Sequence, residues 1–196
     1  MVHIAFAHGA GAGHDSDFMR NISRLLEDKG YIVQRVTFPY WQKVQQTGKK
    51  RPPDRAAILD QHFIDVVQQR RDDTQPLFVM GKSMGARVAA RTAKTLNAQG
   101  MIGLGFPFHP PGKQERHRID DLACAEVPSL IIQGSRDPFG NASWVTSQTL
   151  PKFASVHWVD AANHDLVAPK RTGVSPEAGW QQVVAMIDQF IQERIN

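Results

Sequence analysis

This 196-residue chain has little of what marks the specialised classes of protein. It carries one cysteine, Cys124, so neither an internal disulfide framework nor a cysteine-based zinc site can form. That thiol is expected to be buried and inert. No apolar run reaches the length of a transmembrane helix. The apolar start, Met1-Val2-His3-Ile4-Ala5-Phe6-Ala7, lacks the basic flank of a signal peptide and predicts a strand instead. The cytoplasm is therefore the expected location, and no membrane partner is expected. The excess of base is mild, a formal net charge of +4. Its tight clusters, Lys49-Lys50-Arg51 and Arg70-Arg71, have no interleaved aromatics, which argues for solvated surface and against a nucleic-acid partner. The eight histidines include no close metal-ligand pair, so no metal and no cofactor are expected. No repeat, low-complexity tract or linker divides the chain, and its length suits one domain over residues 1–196.

What is present is alternation. Strand-like runs at Val2 to Ala7, Tyr31 to Phe38, Leu77 to Met80, Met101 to Phe106, Ser129 to Gln133 and Ser155 to Asp160 are separated by helical periodicities. The helices are marked by Phe18, Ile22, Leu25 and Leu26, by Ile58, Phe63, Val66 and Val67, and by a small-residue stretch from Ser83 to about Asn97. A further helix is expected within Asn141 to Leu150, and the last carries Trp180, Val183, Val184, Ile187, Phe190 and Ile191. Asp15 and Ser16 are candidates to cap the first helix. The segment with Gly48, Pro52 and Pro53 predicts a polar loop, and Pro107 to Val127 a long irregular one. Alternating strands and helices predict an α/β fold: one mainly parallel sheet of about six strands with helices on both faces. In such sheets ligands bind beyond the carboxyl ends of the strands. His8, Ser83, Asp137 and His164 all fall there.

Gly81-Lys82-Ser83-Met84-Gly85 fits Gly-x-Ser-x-Gly between an apolar strand and a small-residue helix. This is the sharp turn that exposes a nucleophilic serine at a sheet edge. A serine hydroxyl needs a base within hydrogen-bond reach and a group that orients the base. Asp137 follows the fifth strand and His164 the sixth, so Ser83, Asp137 and His164 stand in the order nucleophile, acid, base. Asp160 and Asp165 are the other nearby carboxylates, but they lie on the histidine's own segment. The loop His8-Gly9-Ala10-Gly11-Ala12-Gly13 follows the first strand and can bring a backbone N–H to a reacting carbonyl. Ala10 is the first choice of donor and Gly11 the second, with the Met84 N–H as partner. The loop does not fit Gly-x-Gly-x-x-Gly, and no acidic residue ends the second strand, which excludes a dinucleotide site. A P-loop is excluded because no glycine stands upstream of Gly81-Lys82-Ser83 at the required spacing.

Four stretches carry a family resemblance: His8 to Gly13, Gly81 to Gly85, Phe106-Pro107-Phe108-His109-Pro110-Pro111-Gly112-Lys113, and Gln133-Gly134-Ser135-Arg136-Asp137-Pro138-Phe139-Gly140. The chain resembles small α/β-hydrolases related to dienelactone hydrolases. More narrowly, it resembles the testis-expressed hydrolase-like proteins and a regulatory subunit of the nonspecific-lethal acetyltransferase complex. The resemblance implies an α/β-hydrolase fold with Ser83 as nucleophile, Asp137 as acid and His164 as base. Ala86 stands where many relatives carry glycine. Ser83 stands where dienelactone hydrolases proper use cysteine, which favours ester-type acyl transfer over dienelactone chemistry. By the resemblance, the first strand is expected to match the third of a full eight-stranded hydrolase sheet, and no helical cap is expected. An open site is expected, with Gly9 and Gly11 at the substrate and Tyr40-Trp41 and Phe108-His109 as its walls. The expected substrates are small esters or thioesters. A vestigial site serving protein interaction is the alternative from another class, and peptidase activity a third.

Overall fold

Strands buried on both faces must be apolar at every position, and helices must then cover both sides. The computed structural model, which describes residues 1–195, has that arrangement at its four central strands, while the two edge strands are partly exposed. Strands β1 (His3–Ala7), β2 (Ile32–Val36), β3 (Leu77–Lys82), β4 (Gly100–Leu104), β5 (Ser129–Gly134) and β6 (Ala154–Val159) form one sheet in the order β2-β1-β3-β4-β5-β6. Every pairing in it is parallel. Among the described residues seven α-helices accompany it: α1 (Asp17–Glu27), α2 (Pro39–Thr47), α3 (Ala56–Arg70), α4 (Met84–Thr92), α5 (Ile119–Ala123), α6 (Ala142–Thr146) and α7 (Pro176–Ile195).

The period of two along each strand divides the interior. Ile4, Phe6, Phe78, Met80, Ile102, Leu104, Leu130 and Ile132 face α1 and α7 on one side. Ala5, Ala7, Leu77, Val79, Met101 and Ile131 face α3, α4 and α5 on the other. Side chains on the second side are small because α4 lies close against the sheet. A Cβ on Gly81 would fall inside the backbone of Gly85, and a Cβ on Gly85 would strike the carbonyl of Ala7. These glycines therefore set the distance between helix and sheet. Ala86, fully buried at this contact, takes up the remaining space.

The chain runs from β1 outward to β2, then back past β1 to β3. The direction of winding thus reverses between β1 and β3, and loops leaving their carboxyl ends diverge around a crevice. His8 to Gly13 leaves one end and Ser83 the other.

Four expectations are corrected. The stretch expected as a loop after β2 begins with the helix α2, which starts at Pro39 and ends at Gly48 in the left-handed conformation (φ 67°). The irregular stretch after β4 contains α5. Cys124 is exposed, not buried, because it falls at the carboxyl end of α5 on its solvent side. The expected helix after Ser83 ends earlier, at Thr92, and continues as turns to Asn97 (φ 49°). Ser16 caps α1, its hydroxyl accepting from the Met19 N–H at 3.4 Å; Asp15 accepts instead from Gln45.

Candidate active site

Ser83 sits between β3 and α4 with φ 53° and ψ −115°. A non-glycine residue there carries about 1–3 kcal/mol of strain, which the surrounding structure must hold. Its N–H donates to the Leu104 carbonyl at 3.0 Å, extending the ladder to β4. Its own carbonyl accepts from the Ala86 N–H at 2.9 Å, opening the helix. Pinned at both ends, the backbone turns the hydroxyl out over the crevice.

The structure brings Ser83, His164 and Asp137 together. The Ser83 hydroxyl lies 2.8 Å from His164 Nε2, and His164 Nδ1 lies 2.8 Å from Asp137 Oδ2. A carboxylate can only accept, so the imidazole proton sits on Nδ1 and leaves Nε2 free to accept from the serine. Asp137 is 0 % exposed, a position that an ionised carboxylate tolerates only when well supplied with donors. It has three: His164, the Phe139 N–H to Oδ1 at 2.8 Å, and Gln133 Nε2 to Oδ2 at 2.9 Å. The other two carboxylates are engaged elsewhere. Asp160 accepts from the Ala161 N–H, and Asp165 pairs with Lys82 at 3.3 Å.

Lys82 is nearly buried beside Ser83. Its Nζ donates to the His164 carbonyl at 2.9 Å and lies 5.6 Å above the Phe18 ring. Burial pulls its pKa below the ordinary value, while Asp165 opposes that shift. The cation thereby fastens the segment that carries His164.

The glycine-rich loop comes directly alongside. A Cβ on Gly9 would stand 3.7 Å from Ser83 Cβ. Ala10 is exposed beside Ser83, and among the described residues neither its N–H nor that of Met84 has a partner. His8 holds the start of this loop. Its Nε2 accepts from the Phe38 N–H at 3.2 Å, so Nδ1 carries the proton and donates to the Gly9 carbonyl at 2.7 Å. Burial pushes the His8 pKa down to about 4.

Two cavities meet at Ser83. One, about 460 Å³, runs along Gly9, Gly11, Phe18, Met19 and Lys82. The other, about 420 Å³, is lined by Met84, Pro107 and the arginines 87, 91 and 118. Ala10, Ser83 and Phe139 border both. The expected walls are corrected here. Tyr40 is buried, and its hydroxyl donates to the Gly9 and Ala10 carbonyls at 3.1 and 3.0 Å, bracing the loop from beneath. Trp41 packs under Gly13. Phe108 and His109 are buried against Trp144, with ring centroids 6.2 and 4.5 Å away. None of the four lines either cavity, because the rings of Tyr40, Phe108 and His109 are buried below the loops and Trp41 packs under Gly13.

Sequence reasoning missed Phe139, whose ring lies 4.3 Å from that of His164, and Gln133. Gln133 donates to Asp137 and to the Phe106 and Gly140 carbonyls from full burial. A polar residue ending the apolar run Leu130-Ile131-Ile132 was the available signal. Among the described residues no cluster of three histidine, cysteine or carboxylate side chains could hold a metal ion.

The sequence model of a family described as alpha/beta hydrolase domain matches residues 1–192. Solved structures similar to this one include a dienelactone hydrolase from Anabaena variabilis, with 16 % identity over 98 % of this chain and 86 % of that one and a TM-score of 0.73. A serine hydrolase without a lid from Xanthomonas campestris is 18 % identical over 97 % and 81 %, with a TM-score of 0.66. The esterase domain of a Rhodothermus marinus protein is 15 % identical over 100 % and 88 %, with a TM-score of 0.68. These likenesses establish the fold.

Proposed function

This chain belongs to the alpha/beta hydrolase domain family, and on that premise we propose that it is a serine hydrolase of small esters or thioesters. The observation that carries the reading is the unbroken hydrogen-bond chain from Ser83 through His164 to the buried Asp137. Ser83 Oγ attacks the substrate carbonyl as its proton passes to His164 Nε2. The oxyanion is received by the N–H groups of Ala10 and Met84; removing one such donor typically costs about 3–4 kcal/mol of transition-state stabilisation. His164 then returns the proton to the leaving alcohol or thiol. Water, deprotonated by the same imidazole, releases the acid and regenerates the serine. Asp137 stays ionised throughout and holds the imidazole tautomer.

Esters and thioesters are favoured over peptides because both cavities are small and open directly at the serine. The esterase domain among the structural relatives supports the same class. The four stretches His8 to Gly13, Gly81 to Gly85, Phe106 to Lys113 and Gln133 to Gly140 resemble those of the testis-expressed hydrolase-like group, and we infer action in the cytoplasm on a free small molecule. The test is turnover of p-nitrophenyl acetate and acetyl thioesters by the wild type and Ser83→Ala. The reading expects a burst of p-nitrophenol stoichiometric with enzyme and a loss of at least about 10³-fold in the variant. Turnover that survives in Ser83→Ala would refute it.

A further inference from the structure

The two cavities beside Ser83 differ in their charge. In the first, the Lys82 cation is already met by Asp165 and the His164 carbonyl. The second is lined by Arg87, Arg91 and Arg118, with Asp54 as the carboxylate among its lining residues. Asp54 is occupied by the Tyr40 N–H, its Oδ2 accepting at 2.9 Å. Arg91 is held by both oxygens of Asp60, at 2.6 and 2.7 Å, and lies 3.4 Å from Asp121. Arg87 spends only its Nε on Asp121. Arg118 forms no ion pair among the described residues, and the one hydrogen bond of its side chain is a long one, 3.4 Å to the Pro107 carbonyl. Its backbone is nonetheless fixed, because its N–H donates to the Phe108 carbonyl at 2.7 Å. Burial, and after it the neighbouring Arg87 cation, pulls the Arg118 pKa down, while Asp121 opposes that shift.

A guanidinium half-withdrawn from water, facing a second one and with Asp121 acting on it only from beyond ion-pair distance, has its fork open to a closer anion. A planar carboxylate that enters from the cavity completes it, because the fork geometry of arginine matches two carboxylate oxygens. We propose that the cavity lined by Arg87 and Arg118 is an anion subsite, and that the substrates of this enzyme are esters or thioesters carrying a carboxylate a few bonds from the scissile carbonyl. This rests on the serine-hydrolase reading and adds the substrate class. The binding of the charged end at Arg118 fixes the carbonyl against Ser83, so the gain falls on kcat/KM.

The experiment compares matched pairs of probes on the intact protein: p-nitrophenyl hydrogen adipate against p-nitrophenyl methyl adipate, and 4-acetoxybenzoate against 4-acetoxybenzamide. The first pair puts the charge on the acyl side and the second on the alcohol side. The expected result is a preference in kcat/KM of at least about tenfold for the anion in one pair, falling as salt is raised. In Arg118→Gln the ratio within that pair should collapse toward one, and Arg118→Lys should restore part of it. If Arg118→Gln does not fold, competitive inhibition of the wild type by free adipate, with adipamide inert, decides the matter. Equal rates within both pairs, a preference that persists in Arg118→Gln, or equal inhibition by adipate and adipamide would overturn the subsite. In those cases turnover of the neutral esters leaves the serine-hydrolase reading standing. No turnover of any probe by folded protein would overturn both.

Discussion

At the scale of single residues, Gln133 shows how much of a site is invisible in the groups that do chemistry. Its two N–H bonds serve three acceptors, the Asp137 carboxylate and the carbonyls of Phe106 and Gly140, all within 3.1 Å. It thereby joins the loops after β4 and β5 under the carboxylate that orients His164. Gln133→Leu keeps the volume but strips these acceptors of their donor. The expected outcome is a stability loss of about 1–3 kcal/mol in urea denaturation. A fall in kcat of more than about tenfold should accompany it, with KM changing less. Unchanged kcat in a folded variant would show that Asp137 does not need this partner. That Ser83, Asp137 and His164 meet was legible in the sequence because each lies in the loop after a strand, in a fixed order. Gln133 and Phe139 were not, because their roles come from side-chain contacts across loops that no spacing encodes. Tyr40, Trp41, Phe108 and His109 were misread for the same reason: a position on a loop at the right edge does not say whether its ring points outward or into the core.

At the scale of elements, α2 is instructive. Pro39 at its first position and Gly48 just past its end are start and stop signals. They read as loop residues because the helix between them buries only Tyr40 and so has almost no apolar stripe. Helices α1 and α7, which each bury several residues, were legible. They pack together over the face of the sheet opposite α4. Phe190 on α7 meets Phe78 with ring centroids 6.2 Å apart, next to Gly100 at the start of β4. That is the end of the sheet away from Ser83. Phe190→Ala is therefore expected to lower stability by about 3–5 kcal/mol. Its kcat/KM, measured well below the unfolding transition, should stay within about twofold of wild type. A large loss of activity in the folded variant would mean that the two ends of the sheet are coupled more tightly than this packing implies.

At the scale of the whole molecule, one sheet edge collects everything the proposed reaction uses, and the winding reversal between β1 and β3 opens the crevice that receives it. The glycine-rich loop beside that crevice is held by a buried neutral histidine. His8 has its pKa depressed to about 4, against an ordinary 6.5. Between those values the unfolded chain takes up a proton that the native state refuses. Stability is therefore full above pH 6.5, falls as the pH drops, and has lost this contribution below about 4. The gap corresponds to about 3 kcal/mol. His3, also depressed by burial, acts in the same direction. Urea denaturation across pH 4 to 7 should show this loss in the wild type and a shallower slope in His8→Gln. Equal slopes would place the titrating group elsewhere.

The measurement that bears most directly on the central claim is labelling with a fluorophosphonate, read by intact mass and peptide mapping in the wild type and Ser83→Ala. The account predicts one adduct, on Ser83, absent from the variant. No adduct on folded wild-type protein, or an adduct that persists in Ser83→Ala, would contradict an activated serine at this site.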